Sequence, residues 1–472
     1  MKKKIDLSCN VAGIRSPNPF WLASAPPTNS AYQIRRAFQA GWGGAVWKTL
    51  THDPIVNVSS RYGAMDYDGR KIAGFNNIEL ITDRSLEENL EEVAAIKREF
   101  PNHAVIVSLM VESNQAAWHD AVKRTEDAGA DGLELNFGCP HGMSERGMGA
   151  AVGQDPYYAE MITNWVKEVA KTPVLVKLTP NITDVTVVGR AAKKGGADGL
   201  SLINTINSIM SINLDTLAPL PAVAGRGSHG GYCGPAVKPI ALNMVQAIAA
   251  DPAIKLPISG IGGIQTWQDA VEFMLLGSSS VQVCTAVMHY GFRIVEQLQS
   301  GLENWMREKN YSKLDDFIGL SVPKVGSWNE LDLSYKVVAE IDQSKCIHCG
   351  LCYIACEDGA HQSIRLTEMS EDDFAALGVG NSRNGEGGPP SIDYSGGVRV
   401  MSGAGDGKVN ILKIDQSTCV GCNLCSFVCP VTGCIEMVEV PSGIPSMNWK
   451  EYQAKLKAGE VKPILPPPHV KI

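Results

Sequence analysis

Between residues 20 and 306 short apolar runs alternate with amphipathic ones, and this alternation restricts the fold more than any other property of the chain. The runs at 19–24, 44–49, 105–109, 132–137, 174–178, 199–203, 257–260 and 280–284 read as buried strands. Helical patterns fall at 31–40, 86–100, 115–128, 184–195, 267–276 and 292–306, with a further helix after Val237. Strands separated by helices must run parallel and be covered on both faces. Eight of them predict an α/β fold, a (β/α)8 TIM barrel; one strand fewer would leave an open doubly wound sheet. The near-repeat Ala128-Gly-Ala-Asp-Gly132 and Gly195-Gly-Ala-Asp-Gly199 fits barrel repetition, each closing a helix and restarting a strand.

In a barrel of this kind chemistry sits where strands end. Polar residues occur there: Lys48 and Thr49, Asn136, Lys177 and Thr179, Asn204 and Thr205. After Asn136 comes Cys139-Pro-His-Gly-Met-Ser-Glu-Arg-Gly-Met-Gly149, a loop without apolar periodicity and with a cysteine at its start. A lone cysteine at a strand end is commonly a packed one. The lysines and asparagines at corresponding ends favour a reactive one. Gly260-Ile-Gly-Gly263, Cys284-Thr285 and Gly230-Gly-Tyr-Cys-Gly-Pro-Ala-Val237 offer bare backbone near the last two strands, which favours a phosphorylated cofactor.

The chain has 472 residues, which leaves room for a second domain, and its 13 cysteines show where it lies. Cys346, Cys349, Cys352 and Cys356 form C-x2-C-x2-C-x3-C; Cys419, Cys422, Cys425 and Cys429 repeat it, followed by Pro430. Thiolates at this spacing bind cubane iron–sulfur clusters, the fourth cysteine of each run serving the other cluster. One cluster is therefore expected on Cys346, Cys349, Cys352 and Cys429, and the other on Cys419, Cys422, Cys425 and Cys356. Structural zinc is the alternative. Glu357 stands where the first run lacks its proline. The expected domains are a barrel over 1–310, a linker over 311–338, a bacterial-type two-[4Fe-4S] ferredoxin domain over 339–440 and an extended tail over 441–472. A Gly-rich insertion, 366–410, interrupts the ferredoxin part. Cys9, Cys233 and Cys434 have no partner in the pattern and read as packed thiols.

Net charge is −8, which gives no electrostatic footprint for nucleic acid or an anionic membrane. No run of about 18 apolar residues exists to span a bilayer. Met1-Lys-Lys-Lys4 leads into Asp6 and Asn10 rather than an apolar core, so it is no signal peptide. The chain reads as cytoplasmic.

With Cys139–Gly149, Lys177-Leu-Thr-Pro-Asn181, Asn204-Thr205, Gly74-Phe-Asn-Asn-Ile-Glu-Leu80 and the cysteine runs in view, the chain resembles the flavin and iron–sulfur subunit of the bacterial NAD-dependent dihydropyrimidine dehydrogenases. The resemblance implies an enzyme of pyrimidine catabolism. It would reduce uracil or thymine reversibly to the 5,6-dihydro form, with FMN in the barrel and two [4Fe-4S] clusters. It implies FMN contacts at Ser24, Lys48, Thr49, Lys177, Gly234, Gly262, Gly263, Cys284 and Thr285. It implies pyrimidine contacts at Asn77, Asn136, Asn204 and Thr205, with Cys139 as proton donor. Gly138 departs from the serine of the animal enzymes, and the Gly-rich insertion is a second departure. No glycine cluster fits a dinucleotide fold, so the resemblance also implies an NADH- and FAD-binding iron–sulfur partner subunit, hence a hetero-oligomer.

Three rival readings remain open from sequence. Asn136-Phe-Gly-Cys-Pro140 is also similar to tRNA dihydrouridine synthases, although the acidic charge disfavours RNA. Dihydroorotate dehydrogenases have a similar barrel without this loop or appended domain. A non-catalytic electron-transfer module is the third.

Overall fold

All eight expected strands form in the computed structural model, which describes residues 5–67, 71–370 and 408–465. β1 (Phe20–Leu22), β2 (Gly44–Leu50), β3 (Ala104–Leu109), β4 (Gly132–Asn136), β5 (Val174–Lys177), β6 (Gly199–Leu202), β7 (Ile258–Ile261) and β8 (Ser278–Val283) each pair in parallel with the next, and β8 pairs with β1 to close the barrel. Their outward side chains, such as Leu133 and Leu135, are buried under the surrounding helices in one continuous core. Several of these helices start on a polar cap. Ser85, Asn114, Asp155, Asp184 and Thr266 each accept a first-turn N–H, which satisfies a donor the helix cannot. An N-terminal hairpin, Cys9–Val11 against Ile14–Ser16, places Val11 and Ile14 on Trp21, Val46, Ile106 and Leu175 and so closes one end of the barrel.

The interior changes character toward the other end. Glu134 shares its face of β4 with Asn136, two residues on. Its carboxylate accepts from Ser201 Oγ at 2.8 Å and Gln282 Nε2 at 3.1 Å, and Gln282 Nε2 also donates to Ser259 Oγ at 3.1 Å. Lys177 Nζ lies 3.5 Å from Glu134. Glu134 is wholly buried, so this lysine supplies the positive charge a buried carboxylate needs.

Three expectations are corrected. The segment up to Ile81, to which the sequence pattern assigns neither strand nor helix, contains Tyr62–Tyr67 and Lys71–Asn77. These join Gly230–Cys233 and Ile206–Ser208 in a four-stranded antiparallel sheet. Tyr62-Gly-Ala-Met-Asp-Tyr67 has no apolar alternation to mark it as a strand, and it pairs as the sheet's edge with the neighbouring Lys71–Asn77. The expected linker 311–338 begins as part of the barrel. Leu314 and Phe317 are buried in its core, Phe317 meeting Trp305 edge-on at 4.9 Å, and the chain divides after Val325. The expected extended tail contains a helix, Trp449–Lys457, started by reciprocal hydrogen bonds between Asn448 and Glu451.

The second unit repeats one pattern twice. Val337–Ile341 pairs antiparallel with Ile435–Glu439, and Ile364–Ser370 with Lys408–Ile414. Each cysteine run leads into a short helix, Leu351–Glu357 or Leu424–Val428. Most of the Gly-rich insertion, residues 371–407, lies outside the described residues, as does the Pro-rich end of the tail. Among the described residues no helix is long and apolar enough to cross a membrane.

Candidate active site

The ends of the barrel strands and the antiparallel sheet enclose a hollow of ≈ 1140 Å³, counting the part open to solvent. Every barrel residue singled out from sequence as a site residue lines it: Ser24, Lys48, Thr49, Asn77, Asn136, Cys139, Lys177, Asn204, Thr205, Gly234, Gly262, Gly263, Cys284 and Thr285. Thr179 is buried but lies outside the lining.

A belt of hydrogen bonds ties these groups together across the mouth. Ser24 Oγ and Thr49 Oγ1 lie 3.1 Å apart, Asn136 Nδ2 donates to Thr49 Oγ1 at 2.9 Å, and Asn204 Nδ2 donates to Asn136 Oδ1 at 2.9 Å. Asn204 Oδ1 then accepts from the Thr205 N–H at 2.7 Å. On the antiparallel sheet Asn77 Nδ2 donates to Gly231 O at 3.2 Å. Within the described residues Asn77, Asn136 and Asn204 each commit one amide N–H, so a second is left to face a ligand.

Cys139 is 9% exposed and packs with Ile55, Ile81, Met110 and Met143. Burial pushes its thiol up to about 11, against smaller opposing effects of a hydrogen bond to His141 O and the charge of Lys177. The thiol therefore keeps its proton at neutral pH. The loop that carries it is fastened to the antiparallel sheet, because His141 Nε2 donates to Glu79 O at 2.9 Å. Burial lowers the His141 pKa, which favours the neutral ring that this bond requires.

Residues that sequence reasoning left without a role complete the site. Glu79, within the quoted 74–80 run, has a 6% exposed side chain. Its carboxylate meets Lys48 Nζ at 3.0 Å, Arg61 Nη1 at 2.8 Å and the Tyr62 hydroxyl at 2.6 Å. Burial, then the hydrogen bond to Glu79 and its charge, push the Tyr62 phenol well above its ordinary range. Cys233, expected to be a packed thiol, lines the hollow, with Thr285 Oγ1 3.2 Å from its sulfur.

The donor set suits a phosphorylated flavin: two ammonium groups, amides, hydroxyls, and bare backbone at Gly234, Gly262 and Gly263, all at positive φ. A Cβ on Gly263 would stand 2.9 Å from Gly234 O, so nothing bulkier could form this wall.

In the second unit Cys346, Cys349, Cys352 and Cys429 line one small hollow, and Cys356, Cys419, Cys422 and Cys425 line another. Each set draws one thiol from the other run. Cys434, expected to be a packed thiol, borders the first set. Among the described residues no three His, Cys, Asp or Glu side chains are grouped as ligands of a single ion. Four thiols around a hollow suit a four-iron body instead.

A closed parallel barrel with this polar mouth, joined to two four-thiol hollows, defines a flavin oxidoreductase with iron–sulfur electron transfer. The dihydroorotate dehydrogenase family profile matches residues 6–306, and a 4Fe-4S dicluster domain profile matches 345–434. The chain belongs to the dihydroorotate dehydrogenase family, and its cofactors are FMN and [4Fe-4S] clusters. It is 42% identical over 366 residues to the NAD-dependent dihydropyrimidine dehydrogenase subunit PreA of Escherichia coli, covering 77% of this chain and 89% of that one. It is 44% identical over 328 residues to the chloroplastic NADP(+) dihydropyrimidine dehydrogenase of Arabidopsis thaliana, covering 67% and 77%. It is 38% identical over 322 residues to the catalytic subunit of dihydroorotate dehydrogenase B of Pyrococcus abyssi, covering 67% and 99%.

Proposed function

We propose that the chain reduces uracil or thymine reversibly at the 5,6 bond in the barrel, using electrons passed through its two clusters from a separate NADH-oxidising subunit. The supporting observation is the pocket itself, lined by a buried protonated thiol and by three amides that each commit one N–H within the protein.

When bound, FMN supplies hydride to C6 of the ring. The chain's own residues do the rest. Asn77, Asn136, Asn204 and Thr205 offer donors and acceptors to the carbonyls and N–H groups of an imide edge. The belt holds them in register, so little ordering remains for the substrate to impose. Cys139 holds the proton destined for C5, and the positive charge of Lys177 favours the thiolate left behind. Ser24, Lys48, Thr49, Lys177, Gly234, Gly262, Gly263, Cys284 and Thr285 hold the flavin. Cys346, Cys349, Cys352 and Cys429 hold one cluster; Cys419, Cys422, Cys425 and Cys356 hold the other. The cytoplasm, where thiols stay reduced, suits eight such ligands.

The test is anaerobic turnover of uracil by the full chain carrying flavin and iron. Dihydrouracil should form with an artificial low-potential donor and not with NADH until the partner is added. No product with either donor would overturn the reading. Rapid NADH-dependent turnover by the chain alone would remove the partner.

A further inference from the structure

The relatives fall into two substrate classes. The relatives from Escherichia coli and Arabidopsis are named for dihydropyrimidines, and the one from Pyrococcus for dihydroorotate. The rings differ in one respect, a carboxylate on C6 that dihydroorotate carries and dihydrouracil lacks. An anionic substituent needs a cation in the wall that receives it. The wall of this pocket has two cations, Lys48 and Lys177; Lys177 is paired with Glu134 at 3.5 Å, and Lys48, together with Arg61 outside the lining, already faces Glu79, at 3.0 Å and 2.8 Å. Tyr62 adds a third hydrogen bond at 2.6 Å, and the Glu79 backbone carbonyl is tied to the Cys139 loop through His141. The carboxylate is therefore held and buried against Lys48, Arg61 and Tyr62, with its main chain tied to the loop of the reactive thiol.

We infer that Glu79 is the specificity-determining residue that restricts this site to uncharged pyrimidine rings, by occupying with the protein's own carboxylate the cations an orotate-type carboxylate would need. A ring carboxylate entering beside it would meet a like charge in a poorly solvated space, where repulsion is strong. An uncharged ring meets no such penalty. This rests on the pyrimidine-reducing reading and adds to it the residue that excludes the acid.

The experiment titrates the FMN-loaded chain with orotate and with orotamide, following the visible spectrum of the bound flavin. The amide has the size of the acid without its charge. The wild-type chain should bind orotate at least about tenfold more weakly than orotamide, the scale expected for one like charge nearby. Glu79→Gln should collapse that ratio toward one, whereas Glu79→Asp, which keeps the charge, should preserve it. Equal or tighter binding of orotate by the wild type overturns the inference without need of any variant. An unchanged ratio in Glu79→Gln overturns it as well. Uracil is titrated in parallel: if it leaves the wild-type flavin spectrum unmoved, the pyrimidine reading fails, an outcome separate from either ratio.

Discussion

Removing the ammonium of Lys177 should do more to the fold than its place in the wall of the hollow suggests. Lys177→Met leaves Glu134 wholly buried, with Ser201 and Gln282 as its remaining partners. Stranding a buried charge in this way costs about 3–5 kcal/mol. Glu134→Gln should cost less, because Lys177 borders the hollow and keeps access to water. The separation of 3.5 Å sets the coupling. At an effective dielectric of about 20 the Coulomb attraction is roughly 4.7 kcal/mol, so a double-mutant cycle should return about 2–4 kcal/mol once solvation is counted. Urea unfolding of the FMN-free chain, read by tryptophan fluorescence, is the assay. Seven of the nine tryptophans fall within residues 1–325, so the signal follows the barrel. Omitting flavin keeps ligand binding out of the measured stability. A coupling below about 0.5 kcal/mol would refute the claim that the pair is one electrostatic unit.

Cys139→Ala should retain flavin and iron but slow pyrimidine reduction by roughly 10²–10⁴-fold, the usual loss for a general acid; near-normal rates would make the thiol structural. Its pKa is raised from 9.0 to about 11, so the protonated form favours folding fully below pH 9.0, and that contribution fades as pH rises toward 11. Pre-steady-state proton transfer should accordingly be flat between about pH 6 and 9, and a fall with a midpoint near 8 would show that the thiol is not buried as described. Cys346→Ser should lower bound iron from about eight atoms to about four, while Cys434→Ser should leave it unchanged; equal iron loss in both would mean that Cys434 is a ligand. Gly138→Ala puts a Cβ 2.3 Å from that of Asn204. It should weaken uracil binding at least about tenfold with flavin retained, and unaltered affinity would mean that Asn204 is not a substrate contact.

The strands and the polar residues at their ends were legible because burial on both faces leaves an unbroken apolar run, and a lysine or asparagine at its end stands out. The cysteine runs were legible because ligand spacing is local. The antiparallel sheet over the mouth was not, since Gly230–Cys233 meets Lys71–Asn77 across more than a hundred residues and Tyr62–Tyr67, paired with Lys71–Asn77, lacks apolar alternation. Glu79 escaped for a different reason: Lys48, Arg61 and Tyr62 are near it in sequence but share no local motif with it, and they meet it only once the chain has folded back on itself. Glu134 reads as an ordinary polar residue between two leucines, and only closure of the barrel turns that face inward. The helix Trp449–Lys457 was the avoidable error, because Asn448-Trp-Lys-Glu451 is a helix-start signal in the sequence itself.

The exchange of thiols between the two cysteine runs has a consequence for how the protein is made. The first four-thiol set waits for Cys429 and the second for Cys425, although half of the ligands are already synthesised by Cys356. Neither set can close on a nascent chain that has stopped short of the second run. Iron–sulfur assembly therefore falls at the end of translation, after the barrel has emerged whole, and a ribosome stalled anywhere in the glycine-rich stretch releases a product with a complete flavin pocket and no completed pathway for electrons to reach it.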